Sequence, residues 1–461
     1  MTIWIPDLSS HTGPRYQAIA AAIADAVDQG ELAPGDKLPP QRDLAYRLGV
    51  TVGTVSRGYM LAEQQGLVGG EVGRGTFVRS ANRNGKEPIL QPADTGVIDL
   101  GINMATWRVH GDALAEALQE IGQARGLEDL LRYTPAAGHA KHRAVGARFM
   151  AQIGLEVDPG RIVLTHGAQQ ALTAVFDVLC SPGDTVLAES YSYSGVIETA
   201  RLAGVHLEGV ALDEEGMVPE ALDKAAARTG ARVVIVVPTI QNPTAAIMSA
   251  ERRSAIAEVA EARDLIIVED DVYGYLAADR PAPIATVAPE RTVYFTSASK
   301  CLAPGLRVGW LALPLQFVER FADVVYAQTL TQPALCHEII GLWLENGTAA
   351  RLTEALHQEI SARQSLAMEL FDGLAVRGHP VSFHLMLDLP EPWRRDEYVA
   401  AALARGIRIV SIASFAVDPM QASEAVRISL AAAPDRAALA AALTTLRDLA
   451  LTGPRASRAI V

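Results

Sequence analysis

Residues 297–307 read Ser-Ala-Ser-Lys-Cys-Leu-Ala-Pro-Gly-Leu-Arg. One lysine, Lys300, stands between small hydroxyl residues and a Pro-Gly turn, with Arg307 seven positions on. A lysine amine forms a Schiff base with an aldehyde, and a hydroxyl and a guanidinium together hold a phosphate. Ser297, Lys300 and Arg307 therefore point to pyridoxal 5'-phosphate (PLP). That cofactor also needs an anion cup, a ring to stack on and an acid for its pyridine nitrogen. Gly167-Ala168-Gln169 follows the apolar run Ile162–Leu164 and opens a helical stretch. Backbone N–H groups and the helix dipole bind phosphate at such a place. Tyr193, in the segment Glu189–Gly195, is the ring candidate, with Tyr191 its competitor. Asn242, in Gln241-Asn-Pro-Thr244, can donate to the cofactor's phenolic oxygen. Asp270, in the run Glu269–Tyr273, is the candidate acid, with Asp271 as the alternative. Tyr273 then reaches the phenolic oxygen beside Asn242.

These residues need a scaffold that gathers loops from distant parts of the chain. From Ile98 on, short apolar runs alternate with helical stretches: Ile162–Leu164, Thr185–Ala188, Val233–Val237, Leu265–Val268, Thr292–Phe295 and Val308–Leu313. This is the β/α alternation of a largely parallel sheet with buried strands. Arg351–Val461 reads as a smaller α+β part, with strands at Ser382–Leu387, Ile407–Val410 and Ala425–Ser429 and a last helix over Asp435–Ala450.

The first eighty residues have a different texture. Ile19, Ile23 and Val27 recur every four positions over Arg15–Asp28, which predicts an amphipathic helix. A short helix over Pro40–Leu48, a Gly49-Val50 turn and a second helix over Val52–Gln65 make helix-turn-helix geometry. Gly66–Val78 reads as a small β-hairpin. The second helix would enter a DNA major groove. Thr51, Thr54, Ser56 and Arg57 are the candidates for its contacts. Arg42, and Arg74 at the hairpin tip, are placed for phosphate or the minor groove. Ser80–Gly96, broken by Gly85, Pro88 and Pro92, reads as a linker that reaches roughly 55–60 Å when extended.

Composition bounds the rest. The chain has 461 residues, 49% hydrophobic and 20% charged, enough for two to four domains. Its three cysteines, Cys180, Cys301 and Cys336, show no disulfide framework or metal spacing, which fits a reducing cytoplasm. No apolar run approaches the roughly 20 residues that span a bilayer, and the start lacks the pattern of a secretory signal. Net charge is −13. Residues 1–80 hold seven Lys and Arg against eight Asp and Glu, so the head is near −1 and the remainder near −12. A near-neutral head still binds DNA if its arginines share a face.

The stretch Tyr16–Val78, with its L-P-x-x-R-x-L-A helix and G-R-G-T-F-V wing, resembles the winged helix-turn-helix of the GntR regulators. The order Gly167, Tyr193, Asn242, Asp270, Tyr273, Ser297, Lys300, Arg307 resembles the fold type I aminotransferases, over about Asp99–Leu449. That resemblance implies Lys300 as the Schiff-base lysine, Asp270 as the pyridine partner and Arg307 as the phosphate arginine. It implies Arg427, in Ala425–Leu430, as the grip on an α-carboxylate, and Tyr133 as a residue lent to the neighbouring subunit's phosphate site. The chain departs from the pattern twice. The usual N-P-T-G ends in Ala245, and the early G-x-P segment is Gly101-Ile-Asn-Met104.

Together the two parts resemble the MocR/GabR regulators. The resemblance implies a winged helix-turn-helix over 1–80, a linker over 81–96 and an α/β, fold type I body over 97–461, with a large lobe at about 130–350 and a small lobe at about 351–461. It implies a PLP-dependent transcriptional regulator of the cytoplasm and nucleoid, a sensor and not a dedicated enzyme. It implies that a small amino compound displaces Lys300 as an external aldimine and that the DNA heads are then repositioned. It also implies head-to-tail homodimers on double-stranded DNA with two half-sites, and no membrane or metal. A working aminotransferase with an appended DNA-binding head is the second reading. Effector, operator and direction of regulation stay open.

Overall fold

The computed structural model describes residues 4–6, 8, 14–28, 31–32, 36–64, 67–71, 75–78, 96–104, 110–124, 126–277 and 279–454. Two compact units divide the chain, Met1–Thr95 and Gly96–Val461. The linker read over 81–96 lies outside the described residues, except for Gly96.

In the first unit, helices α1 (Arg15–Asp28), α2 (Gln41–Leu48) and α3 (Val52–Gln64) pack on a hairpin of β1 (Val68–Glu71) and β2 (Gly75–Val78). The four-residue spacing of Ile19 and Ile23 buries both fully against Leu44, Val55 and Tyr59. Gly58 lets α1 and α3 approach closely: a Cβ there would stand 2.9 Å from Ile19. Gly49, at φ +63°, ends α2 in the left-handed region, so α3 begins after only a short turn. Tyr59 ties the turn before α2 to α3 by donating its hydroxyl to the Pro39 carbonyl at 2.8 Å.

The second unit begins with β3 (Ile98–Asp99), followed by α4 (His110–Gly122) and α5 (Ala140–Ala151). Its main sheet is built from β4 (Ile162–Thr165), β5 (Thr185–Glu189), β6 (His206–Val210), β9 (Val233–Val236), β10 (Ile266–Asp270), β11 (Thr292–Ser297) and β12 (Gly309–Ala312). A small hairpin, β7 (Leu212–Asp213) with β8 (Gly216–Met217), follows β6, and helix α6 (Ala168–Leu179) follows β4. The sheet order is β4-β12-β11-β10-β9-β5-β6. Neighbours run parallel except β12, which is antiparallel to both β11 and β4. The all-apolar runs in β4 and β9 are buried on both faces, as strands covered by helices must be. A second sheet, ordered β13-β14-β17-β16, joins β13 (Val376–Gly378), β14 (His384–Asp388), β16 (Val410–Ser411) and β17 (Ala425–Ser429). Between β14 and β16, β15 (Ile407–Arg408) pairs in parallel with β3. Among the described residues no helix is long and apolar enough to cross a membrane.

The topology gathers the site. The segments after β4, β5, β9, β10 and β11 all leave the C-terminal edge of parallel strands, where open α/β sheets bind ligands. Because β12 runs backwards, the residues that lead into it, Arg307 and Val308, lie at that same edge.

Candidate functional site

Lys300 sits three residues beyond the end of β11. Its Nζ donates to the Asn103 backbone carbonyl at 2.6 Å and lies 5.8 Å from the Tyr273 ring centroid. Burial, reinforced by the positive charges of Arg427 and Arg307 and opposed by Asp270, lowers its amine to about 8. An amine in that range is substantially neutral at a mildly basic pH, as a nucleophile requires. Asp270 ends β10. Burial, with Asp271 adding to it, raises its carboxyl to about 7, against the Val272 N–H it accepts at 3.3 Å and the charge of Lys300. Asp271 is committed elsewhere: it pairs with Arg280 at 3.0 Å and accepts from the Tyr294 hydroxyl at 2.8 Å. The neighbouring acids thus differ in surroundings, and Asp270 is the one that shares the field of Lys300.

Gly167 precedes α6 at φ +76°, ψ 177°, a region that essentially only glycine adopts. A Cβ there would stand 2.6 Å from Arg307 Nη2. Arg307 itself has φ +54°, and its guanidinium donates to the His166 carbonyl at 3.0 Å and the Pro304 carbonyl at 3.3 Å. Ala168 and Gln169 open α6, whose first-turn N–H groups have no partner within the helix. The Gln169 side chain instead donates to Thr199 at 2.9 Å. Ser297 is buried and accepts from the Ser299 N–H at 3.4 Å. The Ser299 hydroxyl is buried without a hydrogen-bond partner. Sequence reasoning passed over Ser299, although the S-x-S-K spacing signals it.

Arg427, central in β17, is buried. It donates to Asn242 Oδ1 at 3.4 Å and to the Gly101 carbonyl, and lies 4.9 Å from the Phe415 ring centroid. Burial lowers it to about 10, and its Nε has no hydrogen-bond partner. Tyr193 is 38% exposed, its ring packed over Gly195 beside the Gln169 side chain and in the field of Asp270, Arg427 and Arg307. Its competitor Tyr191 is directed away, pairing with Ala416 and sharing its hydroxyl with Ser423. Tyr273 is buried and its hydroxyl accepts from Asn103, not from Asn242. Asn103, Ser299 and His384 are the site residues that sequence reasoning missed.

Tyr133 stands apart from this cluster. It is 74% exposed, beside Leu131 at 89%, on the rim of a 490 Å³ cavity formed by residues 130–133 and 331–335. The segment is nonetheless tied to the phosphate turn. Thr134 N donates to Thr331 Oγ1 at 3.0 Å, and the Thr331 carbonyl meets His166 Nε2 at 3.0 Å.

In the first unit, Thr51 just before α3 and Thr54, Ser56 and Arg57 on it lie at or near the surface. The Thr51 hydroxyl caps α3, accepting from Thr54 N at 3.2 Å, and it shares a 2.9 Å bond with the Thr54 hydroxyl. Arg57 lies 5.0 Å from the Tyr16 ring centroid. Arg42 is exposed on α2, and Tyr46, one turn further on, is 89% exposed. Arg74 lies outside the described residues.

Residues 95–446 match the aminotransferase class I and II family, and residues 15–78 match the bacterial regulatory proteins of the gntR family. The HTH-type transcriptional regulator YdeF of Bacillus subtilis is 27% identical over 446 residues, covering 97% of this chain and 96% of its own. The chain belongs to the MocR-type regulators. Another such relative, the HTH-type regulator YjiR of Escherichia coli, is 30% identical over 342 residues, covering 68% of this chain and 72% of its own. Among solved structures, the α-aminoadipate aminotransferase LysN of Thermus thermophilus, complexed with a phosphopyridoxyl-leucine, superposes with a TM-score of 0.70. It is 26% identical, over 78% of this chain and 93% of its own. This MocR-type chain is thus a transcriptional regulator with a DNA-binding gntR head and a fold type I aminotransferase-like body of a PLP-dependent family.

Proposed function

We propose that the body holds PLP at Lys300 and uses it to detect a small amino compound, and that occupancy of this site repositions the DNA-binding heads. The observation that carries the reading is the convergence of Lys300, Asp270, Arg307 and Arg427 in one electrostatic field at the edge of the sheet. The residues present fit the cofactor. Gly167 lets the Arg307 guanidinium pack against the turn that opens α6, whose first N–H groups have no helical partner, and the Ser299 hydroxyl is buried without a partner. When bound, PLP supplies an aldehyde carbon that condenses with primary amines and a ring that accepts electrons.

This chain's residues do the rest. Ser297, Arg307 and the N–H groups of Ala168 and Gln169 bind the phosphate, Tyr193 covers the ring, and Asp270 holds a proton at the pyridine nitrogen. Asn242 and Tyr273 face the phenolic oxygen. Arg427 receives a carboxylate in a two-pronged bond. Its present partner is the Gly101 carbonyl, and Lys300 is held by the Asn103 carbonyl. An effector carboxylate competes with the Gly101 carbonyl for Arg427, and engagement of Lys300 by the cofactor takes the lysine from the Asn103 carbonyl. These carbonyls lie on the segment that follows Gly96 and β3, directly after the linker. Displacing it is a physical route from the effector to the heads.

The exposed Leu131 and Tyr133 support a homodimer in which Tyr133 serves the partner's phosphate site. Two heads then read two half-sites, with Thr51, Thr54, Ser56 and Arg57 at base edges and Arg42 and Arg74 on phosphate or in the minor groove. We place the protein in the cytoplasm, head-to-tail on DNA.

The test is a binding assay on DNA upstream of its own and adjacent genes, with and without PLP and candidate amino acids. A specific complex whose affinity changes with PLP and one amine is expected. Absence of any specific complex, or keto-acid release over many turnovers with no effect on DNA, would overturn the reading.

A further inference from the structure

Resting on the PLP reading above, we propose that Asn103 is a positioning residue that aims the Tyr273 hydroxyl. Asn103 stands where the early G-x-P segment is interrupted, in Gly101-Ile-Asn-Met104. Its side-chain Nδ2 donates to the Tyr273 hydroxyl oxygen at 2.7 Å and lies 2.9 Å from His384 Nδ1. Its Oδ1 accepts from the Ser429 hydroxyl at 3.1 Å. Its backbone carbonyl is the partner of Lys300. One residue therefore touches the lysine, the tyrosine and the second sheet.

The directions of these bonds follow from chemistry. His384 is fully buried, and burial, with Arg427 adding to it, lowers its imidazole to about 3, so the ring is neutral. Its Nε2 faces the Gln241 carbonyl at 3.2 Å. A carbonyl only accepts, so Nε2 carries the ring hydrogen and Nδ1 is a bare acceptor. Nδ1 then takes one Asn103 hydrogen, and the Tyr273 oxygen takes the other. The bare His384 Nδ1 fixes which end of the amide is nitrogen, because an amide oxygen there would face another acceptor, and Ser429 then donates to Oδ1. Both amide hydrogens are spent, and the Tyr273 oxygen is filled as an acceptor. Its own hydrogen is left to donate into the site, and burial raises the phenol so that it keeps that hydrogen. Asn242 has its Oδ1 turned to Arg427 at 3.4 Å. His384 and Ser429 thus buttress Asn103, and Asn103 aims Tyr273.

The experiment uses the full-length protein reconstituted with PLP, and reads the visible band of the bound cofactor against pH. Donation from Tyr273 stabilises negative charge on the phenolic oxygen, so loss of that bond moves the pH midpoint of the band. Asn103→Ala is expected to move the midpoint in the same direction as Tyr273→Phe, and to weaken PLP binding about 5- to 10-fold, the worth of one hydrogen bond. The double variant is expected to shift no further than Tyr273→Phe alone, because nothing remains to be aimed. Asn103→Asp keeps the shape but removes both donated hydrogens, and it is expected to shift the midpoint the same way. It carries the test if the alanine variant fails to fold, judged by circular dichroism of the PLP-free protein. An unmoved midpoint, or a double variant equal to the sum of the singles, overturns the proposal. A wild type that takes up no PLP overturns both this proposal and the function it rests on. A normal Lys300-dependent band in wild type with no Asn103 effect overturns this one alone.

Discussion

Asp270 and Glu189 keep their protons to about 7 and about 8 in the folded body, chiefly because burial penalises the carboxylate. Unfolded, both groups lose their protons near their ordinary values, roughly 4. Their contribution to stability is therefore full below pH 4 and is lost as pH rises through 7 to 8. Lys300, lowered to about 8, acts in the opposite sense, and its penalty fades only above pH 8. The buried His384 and His337 impose penalties only below about pH 6.5. Thermal melts of the PLP-free protein should thus show stability falling between pH 6.5 and 8, with Asp270→Asn flattening part of the fall. Gly167 makes a sharper prediction. Gly167→Ala places a Cβ against Arg307 in a backbone region that costs about 1–3 kcal/mol. It should weaken PLP binding at least 10-fold in a fluorescence titration while leaving the DNA affinity of the PLP-free protein intact. At this scale the chain was legible where chemistry imposes a residue type. Lys300, Asp270 and Arg307, marked by their types, lie in one electrostatic field, joined by Arg427, which the resemblance alone pointed to. Asn103 and His384 were not legible, because an asparagine and a histidine carry no sign of burial or partner until distant strands meet, whereas Ser299 could have been read from the S-x-S-K spacing.

The elements follow the same division. Continuous apolar runs marked β4, β5, β9, β10, β11 and β12, since a strand buried on both faces has no polar alternation to obscure it. β6 was missed because it is an edge strand in which only Val210 is buried. β3 was missed because two residues leave no period to read. The reversal of β12 was not legible either, as direction depends on pairing across the sheet. The departure at Ala245 has a backbone cost. Ala245 sits at φ +62°, donating its N–H to the Gln241 carbonyl at 2.6 Å, where a glycine would be unstrained. Relief of about 1–2 kcal/mol, less the greater freedom glycine gains when unfolded, leaves Ala245→Gly stabilising by about 0.5–1 kcal/mol. Chemical denaturation of the PLP-free protein measures this directly.

At the scale of the whole molecule, a near-neutral head is joined to a body that carries almost all of the −13 charge. DNA affinity must then come from a few arginines on one face, and the salt slope of binding should be modest for each head. The exposed Leu131 and Tyr133 should lie at a subunit contact. Leu131→Asp is expected to shift the protein toward monomer in sedimentation and to weaken PLP retention, through the Thr331–His166 link to the phosphate turn. The central claim is that Lys300 is the chemical end of a switch whose output is DNA occupancy. Operator affinity of wild type and Lys300→Ala, each measured with and without PLP and an amino-acid effector, tests it most directly. Wild type is expected to change affinity with effector only when PLP is bound, and Lys300→Ala to bind DNA but no longer respond. An effector response that survives intact in Lys300→Ala would contradict it.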